Sequence, residues 1–142
     1  MKTWRFTGFY GHLETRKRED SWKLLECLSH RSNLSWVCIR DFNEIMYPRE
    51  KNGGGVRPEG QMRGFHKAIN KCHLRDMGYI GSDYTWSRRL GRRGWIRERL
   101  DKALVSMDWA MMFPSVRLFH VSNSTSDHSI LVLKDVRSPR RQ

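Results

Sequence analysis

Bulky apolar residues recur along this chain at two spacings. In WRFTGFY (4–10) they alternate with smaller residues, the period of a strand. Between 14 and 31 the period lengthens. Trp22, Leu25 and Leu28 fall three apart with Leu24 beside them, which predicts a helix over 14–31. Glu14 near its start and His30-Arg31 near its end suit the helix dipole. Trp36-Val37-Cys38-Ile39 predicts a buried strand over 35–39. Strand, helix and strand over this length predict a right-handed βαβ unit with parallel strands.

The stretch YPREKNGGGVRPEG (47–60) holds three consecutive glycines and two prolines, and predicts a loop without regular structure. Met62, Phe65, Ile69 and Cys72 then form one stripe of a helix over 59–73. DMGYIGSDYTWS reads as loop and short strand, 94–105 as a further strand, and 107–113 as a short helix stopped by Pro114. SVRLFHV and SILVLKDV alternate as two last strands, separated by the polar loop 122–128. The pattern predicts one α/β domain over 1–136, of mixed α+β character, and a basic disordered tail over 137–142.

Charge narrows the set of partners. The chain of 142 residues carries 27 Lys plus Arg against 15 Asp plus Glu, a formal net charge of +12. This implies affinity for polyanions, nucleic acid before anionic membrane. No apolar run is long enough for a membrane span, and MKTWRFTGFYGH lacks the apolar stretch of a signal peptide. The expectation is an intracellular protein, with the nucleus compatible. Cys27, Cys38 and Cys72 sit inside apolar patterns and read as buried free thiols. None is spaced as a zinc ligand.

The polar residues of interest lie where strands end, which is where ligands bind in α/β sheets. The first strand ends at Tyr10 and the second at Asp41 and Asn43, and the strand 116–121 leads to Asp127 and His128. Each has an ordinary reading: Asp and Asn form turns, and Ser-Asp-His caps loops. Side by side they would suit phosphodiester hydrolysis. A carboxylate orients or deprotonates water, an amide holds it, and a metal and an imidazole stabilise phosphate charge.

Four motifs, DFNE, DYTWS, RERLDKALVS and SDHSIL, occur in an order and spacing that resemble the endonuclease/exonuclease/phosphatase family. The chain is most similar to the apurinic-type endonuclease domain of plant non-LTR (LINE-type) retroelements. GFYGH resembles the strand end that supplies that family's active-site tyrosine. The resemblance spans roughly 4–134 and implies a DNase I-like αββα sandwich without its N-terminal portion, with one sheet face poorly covered. It implies that Asp41 orients the attacking water and Asn43 holds it or a phosphate oxygen. His128 binds the scissile phosphate, Asp101 fixes the His128 ring, Tyr10 touches the phosphate, and Asp127 binds or lies near Mg²⁺. The family's early asparagine and metal-binding glutamate have no match in this sequence, so impaired catalysis is implied, with an inactive nucleic-acid-binding remnant as the alternative. Where the family has glycine before the aspartate, this chain has Arg40, which adds bulk and charge at a tight turn. Arg40 reads as a clash, or else as a substitute for part of the missing cation.

WSRRLGRRGWIRER (86–99) holds six arginines interleaved with Trp86 and Trp95. It reads either as a solvated basic hairpin or as a patch in which Arg88, Arg89, Arg92, Arg93 and Arg97 track a nucleic-acid backbone, DNA by resemblance. Trp86 reads as core rather than as a base-stacking residue. Oligomeric state is not legible in this sequence.

Overall fold

The strand–helix–strand start forms as expected. The structure is a computed structural model that describes residues 2–137. In chain order the elements are β1 (Trp4–Tyr10), α1 (Arg18–Ser29), β2 (Ser35–Asp41), β3 (Lys51–Asn52), α2 (Glu59–Lys71), β4 (Leu74–Asp76) and β5 (Ile80–Gly81). They continue with β6 (Trp86–Arg89), β7 (Trp95–Glu98), β8 (Asp101–Ser106), α3 (Met107–Met112), β9 (Val116–Val121) and β10 (Ile130–Asp135). β1 and β2 run parallel, with Tyr10 level with Asp41. β8 pairs antiparallel with β2 and sets Asp101 directly opposite Asp41. The first sheet has the order β1-β2-β8-β4, the second β10-β9-β5, and a third, small sheet β3-β7-β6.

β2 and β8 are buried along most of their length because both faces of the first sheet are covered. On one face, α1 and α2 bring Trp22, Leu25, Phe65 and Ile69 against Trp36, Cys38 and Leu104. Trp22 stacks on Phe65 with ring centroids 4.6 Å apart. On the other face, Val37, Ile39, Ala103 and Val105 meet Leu118, Leu131 and Leu133 of the second sheet. Each fully buried Val, Ile or Leu among them contributes about 1.5–3 kcal/mol. α3 sets Trp109 against Val37 and Val105. The layers among the described residues are thus helix, sheet and sheet.

Four expectations are corrected. The helix expected over 14–31 begins as a 3₁₀ turn, Thr15–Lys17, and is α-helical only over Arg18–Ser29. The single strand expected over 94–105 is two, β7 and β8, in different sheets, broken at Arg99-Leu100. Arg99 ends the run because its side chain turns inward to Asp76 and Glu50 (2.6 and 2.9 Å). The loop 47–60 contains a 3₁₀ turn at Pro48–Glu50 and the short β3, which pairs with β7. There Gly53 is needed: its φ is +83°, and a Cβ would lie 2.0 Å from the Trp95 carbonyl oxygen. Cys27 is exposed, whereas Cys38 and Cys72 are buried free thiols as expected. Burial pushes the Cys38 thiol up to about 12, so it stays protonated and inert. The tail expected over 137–142 lies outside the described residues except for Arg137. Among the described residues, no helix is long and apolar enough to cross a membrane.

Candidate active site

The turn after β2 is built by its own side chains. The Asp41 carboxylate accepts the Asn43 backbone N–H at 2.8 Å, which closes an Asx turn. This turn holds Asn43 at a φ of +53°, a conformation Asn tolerates. Asn43 Nδ2 donates to the Gly11 carbonyl at 2.7 Å, and Gly11 N–H donates to the Asp41 carbonyl at 2.8 Å. The ends of β1 and β2 are therefore pinned together. A Cβ on Gly11 would sit 2.3 Å from the Phe42 carbonyl oxygen, so only glycine allows this closeness. Gly11 is a supporting residue that sequence reasoning passed over, although it stands in the GFYGH motif.

A second missed residue is Thr85, from the DYTWS motif, which is fully buried. Its Oγ1 accepts the backbone N–H groups of Leu100 and Asp101, both at 3.0 Å. Its carbonyl accepts Ser129 N–H at 2.7 Å. Thr85 therefore ties the start of β8 to the loop that carries His128. Trp86 completes the link by bridging to His128 through its backbone, and its half-buried side chain packs on Ile45, Met62 and Leu100, as a core residue should.

These anchors bring Asp41, Asp101 and His128 together. His128 Nδ1 donates to Asp101 Oδ2 at 2.7 Å. A carboxylate only accepts, so Nδ1 carries the proton and Nε2 is left facing outward, 3.8 Å from Asp41 Oδ2. The Asp101 hydrogen bond raises the His128 pKa above its usual value despite partial burial, with Asp41 and Asp127 adding to the effect. Burial and the nearby Asp101 charge push the Asp41 carboxyl upward, against the Asn43 N–H bond. Tyr10, Asp41, Asp101 and His128 line one groove of about 550 Å³, together with Asn123 and Ser126, which were not singled out from the sequence.

The other candidate residues lie beside this groove. Asn43 shares an adjoining cavity with Asp41 and His128, and its amide N–H is engaged by Gly11. Asp127 is exposed in a neighbouring polar pocket with His128 and Arg97. Arg88 and Arg89 lie on β6, Arg92 and Arg93 at the hairpin tip, and Arg97 on β7, all exposed. Arg97 also lies 5.8 Å over the Trp95 ring.

Ligand atoms of Asp41, Asp101 and His128 all lie within 4.8 Å of one another. Asp101 is committed to His128, which leaves Asp41 as the carboxylate for a cation. Mg²⁺ binds through one or two carboxylates with water and substrate phosphate completing its shell, so the donor set fits that ion. The like-charge pressure on Asp41 is what a cation would relieve.

Arg40 occupies the position expected to be strained, and its φ is +136°, in the region that favours glycine. Its guanidinium lies 5.3 Å over the exposed Tyr10 ring. Such an exposed contact is worth about 0.5–1 kcal/mol, and the backbone strain costs about 1–3 kcal/mol. Strain wins, so Arg40→Gly is expected to raise the urea midpoint at unchanged m value. A lowered midpoint would show that the ring contact dominates.

By sequence, no family model and no curated protein matches this chain. Solved structures do. The endonuclease domain of TRAS1, a telomere-specific non-LTR retrotransposon, superposes with a TM-score of 0.61 at 15% identity. The chain shares the fold of that domain over the matched part. The match covers 98% of this chain and 61% of that one, so over a third of the TRAS1 domain has no counterpart here. The mixed sheets agree with the DNase I-like sandwich expected from the motifs.

Proposed function

We propose that this chain carries the hydrolytic half of a Mg²⁺-dependent endonuclease site that cuts phosphodiester bonds in DNA. The reading rests on the Asp41–His128–Asp101 constellation at the head of an open groove. Asp41 orients or deprotonates the attacking water. His128, held in one tautomer by Asp101, presents Nε2 to the phosphate and, when protonated, offsets its developing charge. Tyr10 at the groove wall offers a phenol to a phosphate oxygen. Mg²⁺, held at Asp41 with Asp127 nearby, would polarise the phosphate and lower the pKa of water. The exposed arginines of the β6–β7 hairpin take flanking phosphates, and the net charge of +12 draws the polyanion in.

Nicking of supercoiled plasmid is expected with Mg²⁺, and none with chelator, with Asp41→Ala or with His128→Ala. Arg89→Ala and Arg97→Ala are each expected to lower the salt dependence of DNA binding by about one unit. One observation favours a second reading, a nucleic-acid-binding protein without catalysis. Among the described residues, Asp41 is the one carboxylate of the constellation left free for a cation. Salt-dependent binding without Mg²⁺-dependent nicking would select it.

A further inference from the structure

The glycine-rich loop 47–60 delivers a largely buried guanidinium, that of Arg57, to the edge of the Asp41–His128 site. Lys51 before the glycines and Arg57 after them both reach Glu98 on β7, Lys51 Nζ at 3.5 Å and Arg57 Nη2 in direct contact. Arg57 Nε lies 3.2 Å from Glu44 Oε1. One planar guanidinium is therefore forked between two buried carboxylates, Glu44 and Glu98. Glu44 follows Asn43 in the chain. Its carboxylate also accepts the Ile45 N–H at 2.9 Å and Arg18 Nη1 at 2.7 Å. Arg18 in turn donates to the His12 and Leu13 carbonyls just beyond β1, at 3.0 and 3.1 Å. On the other side, Glu98 is level with Trp86 across the hairpin and stands next to the exposed Arg97. Arg57 and Glu98 line a cavity of about 330 Å³ together with Asp41, Asn43 and His128.

We propose that Arg57 is a positioning residue: through Glu98 and Glu44 it couples the seating of the β6–β7 hairpin on DNA to the turn that carries Asp41 and Asn43. Glu98 is buried and Arg97, its neighbour on the strand, is exposed, so fixing the first aims the second. β3 and β7 share only two residue pairs, Lys51 with Glu98 and Asn52 with Arg97, so backbone pairing alone holds this edge weakly. Arg57 adds a charge-assisted link where the strand pairing is thin. A phosphate that orders Arg97 restricts β7, and the ion bridge restricts Glu44 and the adjoining turn with it. Arg57 itself touches neither the phosphate nor the attacking water, because its two carboxylates occupy it. The inference rests on the proposed DNA contact of the hairpin and not on cleavage.

The probe is a fluorescein-labelled DNA duplex, with anisotropy measured across a salt series. Arg97→Ala is expected to lower the salt dependence of binding by about one unit in the wild type. In Arg57→Met it should lower it no further, because Arg97 is no longer aimed. Arg57→Met should fold, since Glu44 keeps Arg18 and Glu98 keeps Lys51. Glu98→Gln breaks the same bridge from its other end and serves if Arg57→Met does not fold. Arg57→Lys should behave like Arg57→Met, because an ammonium keeps the charge but not the fork. Hydrogen exchange reads the far end of the bridge: DNA should slow exchange of the Ile45 N–H in the wild type and leave it unchanged in Arg57→Met. A full, additive loss from Arg97→Ala in the Arg57→Met background would overturn the proposal, as would wild-type behaviour of Arg57→Lys. If Arg97→Ala changes nothing in the wild type, the arginine contacts proposed for the hairpin fall, and the coupling with them.

Discussion

Asp101→Asn is expected to lower the His128 pKa and to cut Mg²⁺-dependent nicking by about 10²–10⁴-fold. The substitution preserves the shape of a buried side chain and its neighbours, so the fold should persist. It removes the charge that raises the His128 pKa through the 2.7 Å bond. NMR titration of the His128 ring reads the change whether or not the chain cuts DNA. The stability effect has a defined sign. A histidine raised in the folded state contributes stability that is fully present below about pH 6.5, its unfolded value. That stability is lost as pH rises through the folded pKa. The advantage of the wild type over Asp101→Asn should therefore shrink from about pH 6.5 upward. An unchanged His128 titration would remove Asp101 from its orienting role.

Glu50→Ala should destabilise the protein by about 3–5 kcal/mol, the largest single effect expected outside the aromatic core. Glu50 is the centre of a buried ion network. It accepts Lys102 Nζ at 2.8 Å, Arg99 Nη1 at 2.9 Å and the Met46 N–H at 2.7 Å. Arg99 also grips Asp76 at 2.6 and 2.8 Å. Lys102 is fully buried, so removing Glu50 leaves an ammonium in the interior without its carboxylate. Burial by itself would raise the Glu50 and Asp76 carboxyls, but Lys102 beside the first and Arg99 beside the second hold both below the usual range. Burial lowers the Lys102 pKa even so, and its contact with the Glu50 carboxylate works against that shift. Depressed carboxyls contribute stability present above their unfolded values near pH 4 and lost as pH falls through the folded ones. Urea unfolding of Glu50→Ala should therefore show a shallower decline on acidification than the wild type. Replacing Glu50 and Lys102 together by leucine and methionine should recover much of the loss, since no charge is then stranded.

The two networks show why some of this molecule could be read in advance. The β1–α1–β2 unit was legible because its apolar positions follow the strand and helix periods, and local patterning decides those elements. Asp41 and His128 were legible as candidates because they follow predicted strands within ordered motifs, and Asp101 only through the family resemblance. The break between β7 and β8 was not. RERLDKALVS looks like one continuous strand with solvated charges, yet Arg99, Asp101 and Lys102 are buried. Their partners lie 23 to 52 residues away, and a single-sequence pattern carries no signal of such pairing. Gly11 and Thr85 escaped notice for the same reason. Gly11 acts through its backbone and Thr85 through its hydroxyl and carbonyl, and their partners reach them only when β1, β2, β6 and β8 are assembled.

By itself the sequence determined the strands and helices set by periodicity, the positive charge that seeks a polyanion, and the residue types able to hydrolyse a phosphodiester. Tertiary structure alone decided that His128 Nδ1 is bound to Asp101 and that its Nε2 faces Asp41. It also decided that Arg40 sits in a glycine-like conformation. Local patterns record how a side chain meets water or its near neighbours. Hydrogen-bond direction and backbone strain depend on which distant segments lie alongside, and that is settled only when the whole chain packs.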